Sequence, residues 1–154
     1  MVNHIWVDAD SCPLLVRNHT IKTAAQNNIP VSLIANKEIK CDQTYPFEMI
    51  ITDSTKDSAD NYIFEHTAAD TDLVITKDIV FADKLLQKEI TVINDRGTLF
   101  TKEIIKSRLE DRDFDMQLAS IGLVKHFHEG YGKEKFAAFK ECFSRILRQG
   151  RPSE

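Results

Sequence analysis

The sequence predicts an α/β fold of three layers, in which helices cover both faces of a mostly parallel central sheet. Five short apolar segments have the length and composition of buried strands, and helical patterns lie between most of them. Strands separated by helices in this way are joined by right-handed crossovers within a parallel sheet. The last third of the chain has helical spacing only. We therefore expect one domain over residues 1–154, with helices at about 101–149 packed on the sheet.

The predicted strands are runs rich in Val, Ile and Leu that end at polar or turn residues. They are His4–Val7, Val31–Ala35, Phe47–Ile51, Leu73–Thr76 and Thr91–Asn94. Apolar spacing between the strands predicts helices at about Cys12–Asn27, Ser58–Ala68 and Ile79–Lys88. The link Asn36–Pro46 joins two strands without a helical pattern, so we expect an irregular loop there.

Helices follow the last predicted strand. Ile104, Ile105 and Leu109 predict one helix, and a helical pattern resumes over Met116–Leu123 after a break. The final helix has apolar side chains at helical spacing, which predicts one buried face: Phe136, Phe139, Phe143, Ile146 and Leu147.

The composition is that of an ordinary globular protein, with 42% hydrophobic and 29% charged residues. No segment approaches the roughly 20 apolar residues that cross a bilayer, and the first strand begins too early for a signal peptide to precede it. The widely spaced Cys12, Cys41 and Cys142 fit neither a disulfide framework nor a zinc module. We therefore expect a cytoplasmic protein with no membrane partner.

The net charge of −4 is unevenly distributed, because the acids are concentrated in residues 1–124 and residues 125–154 are net basic. This pattern suits a metal site beside a phosphate-binding surface, or simply a solvated basic helix face. The pI of about 5.7 argues against strong non-specific binding of nucleic acid by the whole protein.

Two aspartates, Asp8 and Asp10, follow the first predicted strand. Side chains alternate along a strand, so both carboxylates are expected on the same side, close enough to share one cation or one proton. A divalent metal or a transferred phosphoryl group would explain such a pair. Alternatively, Asp10 caps the following helix and Asp8 faces water.

Other acids are expected at the same edge, because ligands of open parallel sheets bind outside the carboxyl ends of the strands. Asp78 follows the fourth strand, next to Thr76 and Lys77. Asp60 lies three residues after Asp57 in the first turn of a predicted helix, so the two share a face. Such carboxylates are the hard oxygen ligands that Mg²⁺ or Mn²⁺ prefers. Asp57 and Asp78 also suit helix caps.

Phosphatase chemistry is an alternative. Haloacid-dehalogenase-type phosphatases also carry an Asp-x-Asp pair after their first strand, and Thr76 fits their second position, but their separate Lys and terminal acid pair have no match. Cysteine phosphatases leave five residues between Cys and Arg, whereas Cys12 and Arg17 leave four. A packed thiol is the simpler interpretation of Cys12.

Two further segments carry polar chemistry. His126-Phe127-His128 presents two imidazoles without the partners that a zinc site requires. The turn Asn94-Asp95-Arg96-Gly97 places Arg96 near the same sheet edge, where it would hold a phosphate or a surface acid.

Four segments together resemble the YaiI/YqxD family of bacterial proteins, in order and at family-like spacing over about residues 4–124. They are Asp8-Ala9-Asp10-Ser11-Cys12-Pro13, Asp57-Ser58-Ala59-Asp60-Asn61-Tyr62-Ile63, Val74-Ile75-Thr76-Lys77-Asp78-Ile79 and Arg96-Gly97. That family is similar to the PIN-like superfamily, whose characterised members are metal-dependent ribonucleases with acids clustered at one sheet edge. The resemblance therefore implies a PIN-like domain with a Mg²⁺ or Mn²⁺ site at the four acids Asp8, Asp10, Asp60 and Asp78.

The same resemblance implies hydrolysis of phosphodiester bonds in RNA, with single-stranded RNA or another nucleic acid as the partner. Thr76, Lys77 and Arg96 would then contact the substrate. A non-catalytic nucleic-acid-binding module that kept the acidic pocket is the competing interpretation.

The chain departs from the family pattern at two places. A Gly-Gly-Pro segment that is usual in the C-terminal third appears here as Glu129-Gly130-Tyr131-Gly132. Asp95 stands where proline is usual before Arg96-Gly97. Neither departure alters the four acids.

Overall fold

The computed structural model describes residues 1–123 and 130–149. The strands are β1 His4–Asp8, β2 Val31–Ala35, β3 Glu48–Ile51, β4 Asp72–Ile75 and β5 Thr91–Ile93. The helices are α1 Leu14–Gln26, α2 Ser58–His66, α3 Ile79–Gln87, α4 Lys102–Ser120 and α5 Lys133–Gln149, with a short 3-10 turn at Ala9–Ser11. The predicted α/β class with a helical C-terminal third is confirmed.

The central sheet has the order β3-β2-β1-β4-β5, and every pair of neighbouring strands is parallel. After β3 the chain crosses to the other side of β1, so the connections from β1 and from β4 leave in opposite directions. This reversal opens a crevice at the carboxyl ends of β1 and β4, which is where open α/β sheets bind their ligands. Asp8 is the last residue of β1 and lies at that point.

Two apolar layers cover the sheet, one on each face. Ile5 and Val7 point to a layer that includes Phe139 and Phe143 of α5, whereas Trp6 and Val74 point to the layer under α2, α3 and α4. Strand residues alternate between the two layers because successive side chains leave opposite faces. The two phenylalanines are fully buried, so the predicted buried stripe on the last helix is confirmed.

Some predicted boundaries are wrong. The break expected before Met116 is absent, because α4 runs without interruption over Lys102–Ser120 and contains neither glycine nor proline to stop it. The first helix begins at Leu14 rather than Cys12, since Cys12 and Pro13 are extended. The loop Asn36–Pro46 contains no helix or strand, as expected. The His126-Phe127-His128 segment lies outside the described residues.

The turn after β5 holds α5 against the sheet edge. Gly97 has a φ of +83°, and a Cβ placed there would lie 2.4 Å from the backbone oxygen of Ala138 in α5. The hydroxyl of Tyr131, just before α5, donates to the backbone oxygen of Asp95 at 2.6 Å. The close contact at Gly97 and the Tyr131 hydrogen bond therefore hold α5 beside the turn that follows β5.

Within the part of the chain that the structure describes, no helix combines the length and apolar character needed to cross a membrane.

Candidate functional site

Asp8 lies at the crevice and is buried, with 9% of its surface exposed. Its Oδ2 accepts a hydrogen bond of 2.8 Å from the hydroxyl of Thr76, which follows β4 and is itself buried. The backbone N–H of Asp78 donates to the same hydroxyl oxygen at 3.2 Å. Thr76 therefore links the end of β1 to the start of α3, and its hydroxyl proton is directed at Asp8.

Burial raises the pKa of Asp8 to about 6. The Thr76 hydrogen bond opposes this shift, the charges of Asp10 and Asp78 add to it, and the charge of Lys77 opposes it. Asp8 is thus a carboxylate that loses its proton only near neutral pH and gains from any nearby cation.

Asp60 belongs to the same electrostatic group. It lies half-buried in the first turn of α2, and burial raises its pKa to about 7, with further contributions from the negative charges of Asp8, Asp78 and Asp57. Because Asp8 and Asp78 act on Asp60, the structure brings these three predicted acids from separate segments within electrostatic range of one another.

Asp78 also caps a helix, as the sequence suggested. Its Oδ1 accepts from the backbone N–H groups of Val80 at 3.0 Å and Phe81 at 3.2 Å, at the start of α3. Asp57 occupies the corresponding position before α2 but makes no side-chain cap hydrogen bond and has a φ of 65°. Of the two expected caps, only Asp78 functions as one.

Asp10 is placed differently from the expectation. The strand β1 ends at Asp8, and Asp10 lies exposed in the 3-10 turn, so the alternation that was expected to align the two side chains does not extend this far. Its two carboxylate oxygens accept from the backbone N–H of Asn36, at 3.2 and 3.0 Å. Nor does Asp10 cap α1, because Pro13 holds that position. It instead ties the end of β2 to the turn after β1.

A cavity of about 410 Å³ is lined by three acidic and three basic side chains. Its acidic lining is Asp57, Asp60 and Asp78, and its basic lining is Lys56, Lys84 and Arg112. None of the three cations was among the predicted substrate contacts. Lys56 directly precedes the Asp57 motif, so its place in the sequence indicates that it lies near the acids, whereas Arg112 reaches the cavity only because α4 packs on α3.

The two predicted cations are more peripheral. Lys77 is exposed, and its charge lowers the pKa of Asp8. The side chain of Arg96 is 49% exposed, and its Nε lies 4.0 Å from Oδ1 of Asp95. The backbone N–H of Arg96 donates to Asn94 at 2.9 Å, which shapes the turn after β5.

The resemblance implies a divalent metal held by carboxylate oxygens. Among residues 1–123 and 130–149, no group of three or more His, Cys, Asp or Glu side chains is close enough to form a ready-made cage. Mg²⁺, however, keeps several waters and binds through one or two carboxylates together with substrate phosphates. The buried Asp8 and half-buried Asp60 carboxyls fit that mode of binding, in which the protein supplies only some of the ligands.

The thiol of Cys12 is buried. Its Sγ lies 3.7 Å from the backbone oxygen of Pro13, and burial raises the pKa of the thiol well above its ordinary range. We expect iodoacetamide at about pH 8 to label the half-buried Cys41 before Cys12. Peptide mapping by mass spectrometry would measure this, and preferential labelling of Cys12 would contradict it.

The raised pKa of Asp8 predicts a pH dependence of stability. The folded state binds this proton more tightly than the unfolded state, so the carboxyl destabilises the fold increasingly as pH rises from about 4 to about 7. A shift of about two units corresponds to at most about 3 kcal/mol. His4 and His19, whose pKa values are lowered chiefly by burial, act in the opposite direction.

Comparison of wild type with Asp8→Asn separates these effects, because both proteins keep the two histidines. In urea unfolding with EDTA, the stability of Asp8→Asn relative to wild type should rise between about pH 5 and pH 8. Any fixed effect of the amide cancels from this slope. Parallel pH profiles for the two proteins would show that Asp8 has an ordinary pKa.

The fold and the site together define a three-layer α/β protein with a carboxylate crevice at the switch point of an all-parallel sheet. The comparisons identify it further: the family model described as "Uncharacterized BCR, YaiI/YqxD family" matches residues 6–149, and the chain belongs to this family. The resemblance seen in the sequence is thereby confirmed.

Relatives at similar length support the assignment. The chain is 38% identical to the UPF0178 protein of Treponema denticola, over 93% of this chain and 90% of the relative. It is 39% identical to the UPF0178 protein of Pseudoalteromonas atlantica, over 94% of this chain and 98% of the relative. The UPF0178 protein of Geobacter metallireducens is 35% identical over 96% and 97% of the two chains. No solved structure matches the chain significantly.

Proposed function

We propose that this protein is a metal-dependent nuclease that hydrolyses phosphodiester bonds of RNA, with Mg²⁺ or Mn²⁺ as its cofactor. The main support is one juxtaposition: Asp60, whose pKa is raised to about 7, lines a cavity that also contains three cationic side chains, and the buried Asp8 acts electrostatically on Asp60. Carboxylates alone would repel a polyanion, and cations alone would bind it without chemistry. Both together suit the positioning of a phosphodiester for hydrolysis.

The acids of the site have separate parts in this proposal. Asp8 and Asp60 would hold the cation, with Asp78 contributing while it caps α3, and Asp10 would add negative charge from the turn after β1. When bound, the divalent ion would supply a charge that stabilises the phosphate transition state and lowers the pKa of water. Thr76 would orient Asp8 through its 2.8 Å hydrogen bond.

The cations would position the substrate. Lys56, Lys84 and Arg112 line the cavity and would bind phosphate oxygens flanking the scissile bond. Lys77 and Arg96 are exposed enough to extend this contact along the backbone. RNA is preferred to DNA on the family resemblance alone. A cytoplasmic location is part of the proposal, and the three free cysteines are compatible with a reducing compartment.

A binding module without catalysis is the second candidate. Its support is that no three-ligand group is preformed in the described part of the chain and that Asp78 already serves as a cap. A phosphatase of the haloacid-dehalogenase type is less well supported, because the Thr76 hydroxyl is buried and directed at Asp8.

One experiment separates the three functions. Fluorescent single-stranded RNA and a small phosphomonoester are each incubated with the full chain, in millimolar Mn²⁺ or in EDTA. RNA cleavage that EDTA abolishes is the expected result. Phosphate release from the monoester alone would indicate the phosphatase, and RNA binding without turnover would indicate the module. An Asp60→Asn protein purified identically controls for contaminating ribonuclease.

A further inference from the structure

The cavity that contains both acids and cations is a groove lined mainly by α2 and α3. Each helix contributes residues spaced three or four positions apart, so each presents one face to the groove. From α2 and the residue before it these are Asp57, Asp60, Asn61 and Phe64, and from α3 and its cap they are Asp78, Val80, Phe81 and Lys84. Both helices follow strands of the parallel sheet, so both run away from its carboxyl edge.

The chemistry of the groove changes along its length. The acids lie where the helices begin, at the carboxyl edge of the sheet. Phe64 follows Asp60 by four positions, and Lys84 follows Asp78 by six. A helix rises about 1.5 Å per residue, so these two side chains lie about 6 and 9 Å further along the groove. The groove therefore passes from carboxylates at one end to an aromatic ring and an ammonium group at the other.

Phe64 presents a partly exposed ring to this groove. Its exposed fraction is 37%, and Nζ of Lys88 lies over the ring, 4.8 Å from its centre. The same ammonium group donates to the backbone oxygen of Phe64 and, at 3.3 Å, to the hydroxyl of Thr67. These contacts hold Lys88 beside the end of α2. A planar ligand group that covered the rest of the ring would remove apolar surface from water and would be bound favourably.

The lining of the groove suits a nucleotide. Unpaired bases are recognised by stacking on aromatic rings and by hydrogen bonds to their edges. Asn61, one turn before Phe64 on the same face of α2, is exposed and carries an amide that both donates and accepts. Lys84 supplies a positive charge for a phosphate. The volume of about 410 Å³ is that of a site for a small molecule or a single nucleotide.

We propose that the groove between α2 and α3 binds one unpaired nucleotide of single-stranded RNA, with its base stacked on Phe64 and its phosphate held by Lys84. Bases in a duplex are already stacked and paired, so this mode of binding selects single strands. The inference rests on the proposed nuclease function, because this nucleotide flanks the phosphate that lies at the acids. Phe64 is then a specificity-determining residue, and its contribution is measured by binding without any cleavage.

The first test is fluorescence polarisation of a labelled single-stranded RNA, in EDTA and low salt. Phe64→Leu should weaken binding about tenfold, because a base stacked on an aromatic side chain contributes substantially to affinity. Phe114→Leu is the matched control, since Phe114 is 58% exposed on α4 and is not among the residues that line the groove. It should bind RNA as wild type does. Absence of RNA binding by wild type, or unchanged binding by Phe64→Leu, would overturn the proposal.

A duplex of the same sequence separates base stacking from a general effect on the surface. Paired bases do not reach the ring, so wild type and Phe64→Leu should bind the duplex equally, and more weakly than wild type binds the single strand. An equal loss of affinity for the duplex and for the single strand would show that Phe64 acts on the structure of the groove and not on an unpaired base.

The second test uses wild type only, so it stands if Phe64→Leu fails to fold. Single-stranded RNA that contains 5-iodouridine is irradiated with the protein in EDTA, and peptide mapping by mass spectrometry should place a crosslink on Phe64. Crosslinks confined to other elements would overturn the proposal. Binding that depends on Phe64 in a protein that cleaves no RNA with Mn²⁺ would retain this groove and remove the nuclease. Cleavage together with unchanged RNA binding by Phe64→Leu would do the reverse.

Discussion

Replacing Asp60 with asparagine should reduce Mn²⁺-dependent RNA cleavage by at least about 100-fold. The same variant should be more stable than wild type at about pH 8 when no metal is present. Burial and the charges of Asp8 and Asp78 raise the pKa of Asp60 to about 7, so ionisation of this group costs folding free energy. Asparagine keeps the shape of the side chain and removes the charge. Loss of activity with gain of stability is typical of a functional acid.

Initial rates on fluorescent single-stranded RNA and urea unfolding in EDTA are the two measurements. Asp83→Asn is the control with the same change of charge, because Asp83 on α3 accepts from Gln87 and is not among the residues lining the cavity. It should leave both quantities near the wild-type values. If Asp60→Asn is instead less stable than wild type and still cleaves RNA, then Asp60 serves the structure and the proposed site loses a principal ligand.

Replacing Gly97 with alanine should destabilise the protein by about 2–4 kcal/mol. The φ of +83° is strained for a residue with a Cβ, and that Cβ would lie 2.4 Å from the backbone oxygen of Ala138. A backbone atom of α5 cannot rotate away as a flexible side chain can. The helix must therefore shift, and the buried Phe139 and Phe143 shift with it.

The Gly122→Ala variant separates the cost of backbone strain from the cost of steric overlap with α5. Gly122 has a φ of +86°, yet a Cβ there would meet no atom of the described chain within 4 Å. Gly122→Ala should lower the free energy of unfolding by only about 1 kcal/mol, from backbone strain alone. Thermal and urea unfolding of the two variants measure the difference. Equal losses at the two positions would mean that the contact between the β5 turn and α5 contributes little.

Local patterns in the sequence predict most of the fold. Apolar runs bounded by turn residues indicate the five strands, and their alternation with helices indicates a parallel sheet, because parallel neighbours require crossover connections. The same rule places Asp8 and Asp78 at one edge of the sheet. The errors occur at the boundaries of helices: the break expected before Met116 is absent, because Lys102–Ser120 contains neither glycine nor proline to stop the helix.

The candidate site is less predictable, because side-chain direction beyond a strand end depends on the turn that follows. Asp10 lies two positions after Asp8, and strand alternation would align the two side chains, but the chain enters a 3-10 turn after Asp8. Asp10 consequently bonds to the backbone of Asn36. The charge of Asp10 still contributes to the raised pKa of Asp8, although strand alternation ends at Asp8 and does not place Asp10.

By itself, the sequence determined the α/β class, the family and the edge of the sheet at which acids gather, since each follows from local periodicity or from ordered motifs. Tertiary structure alone decided which charged side chains line the same cavity. Arg112 joins Asp60 across one cavity because α4 packs on α3, and Asp95 and Asp8 line one small void because β5 pairs with β4. These pairs are 52 and 87 positions apart in the sequence. Local spacing carries no signal at such separations, so only the packing of whole elements brings these side chains together.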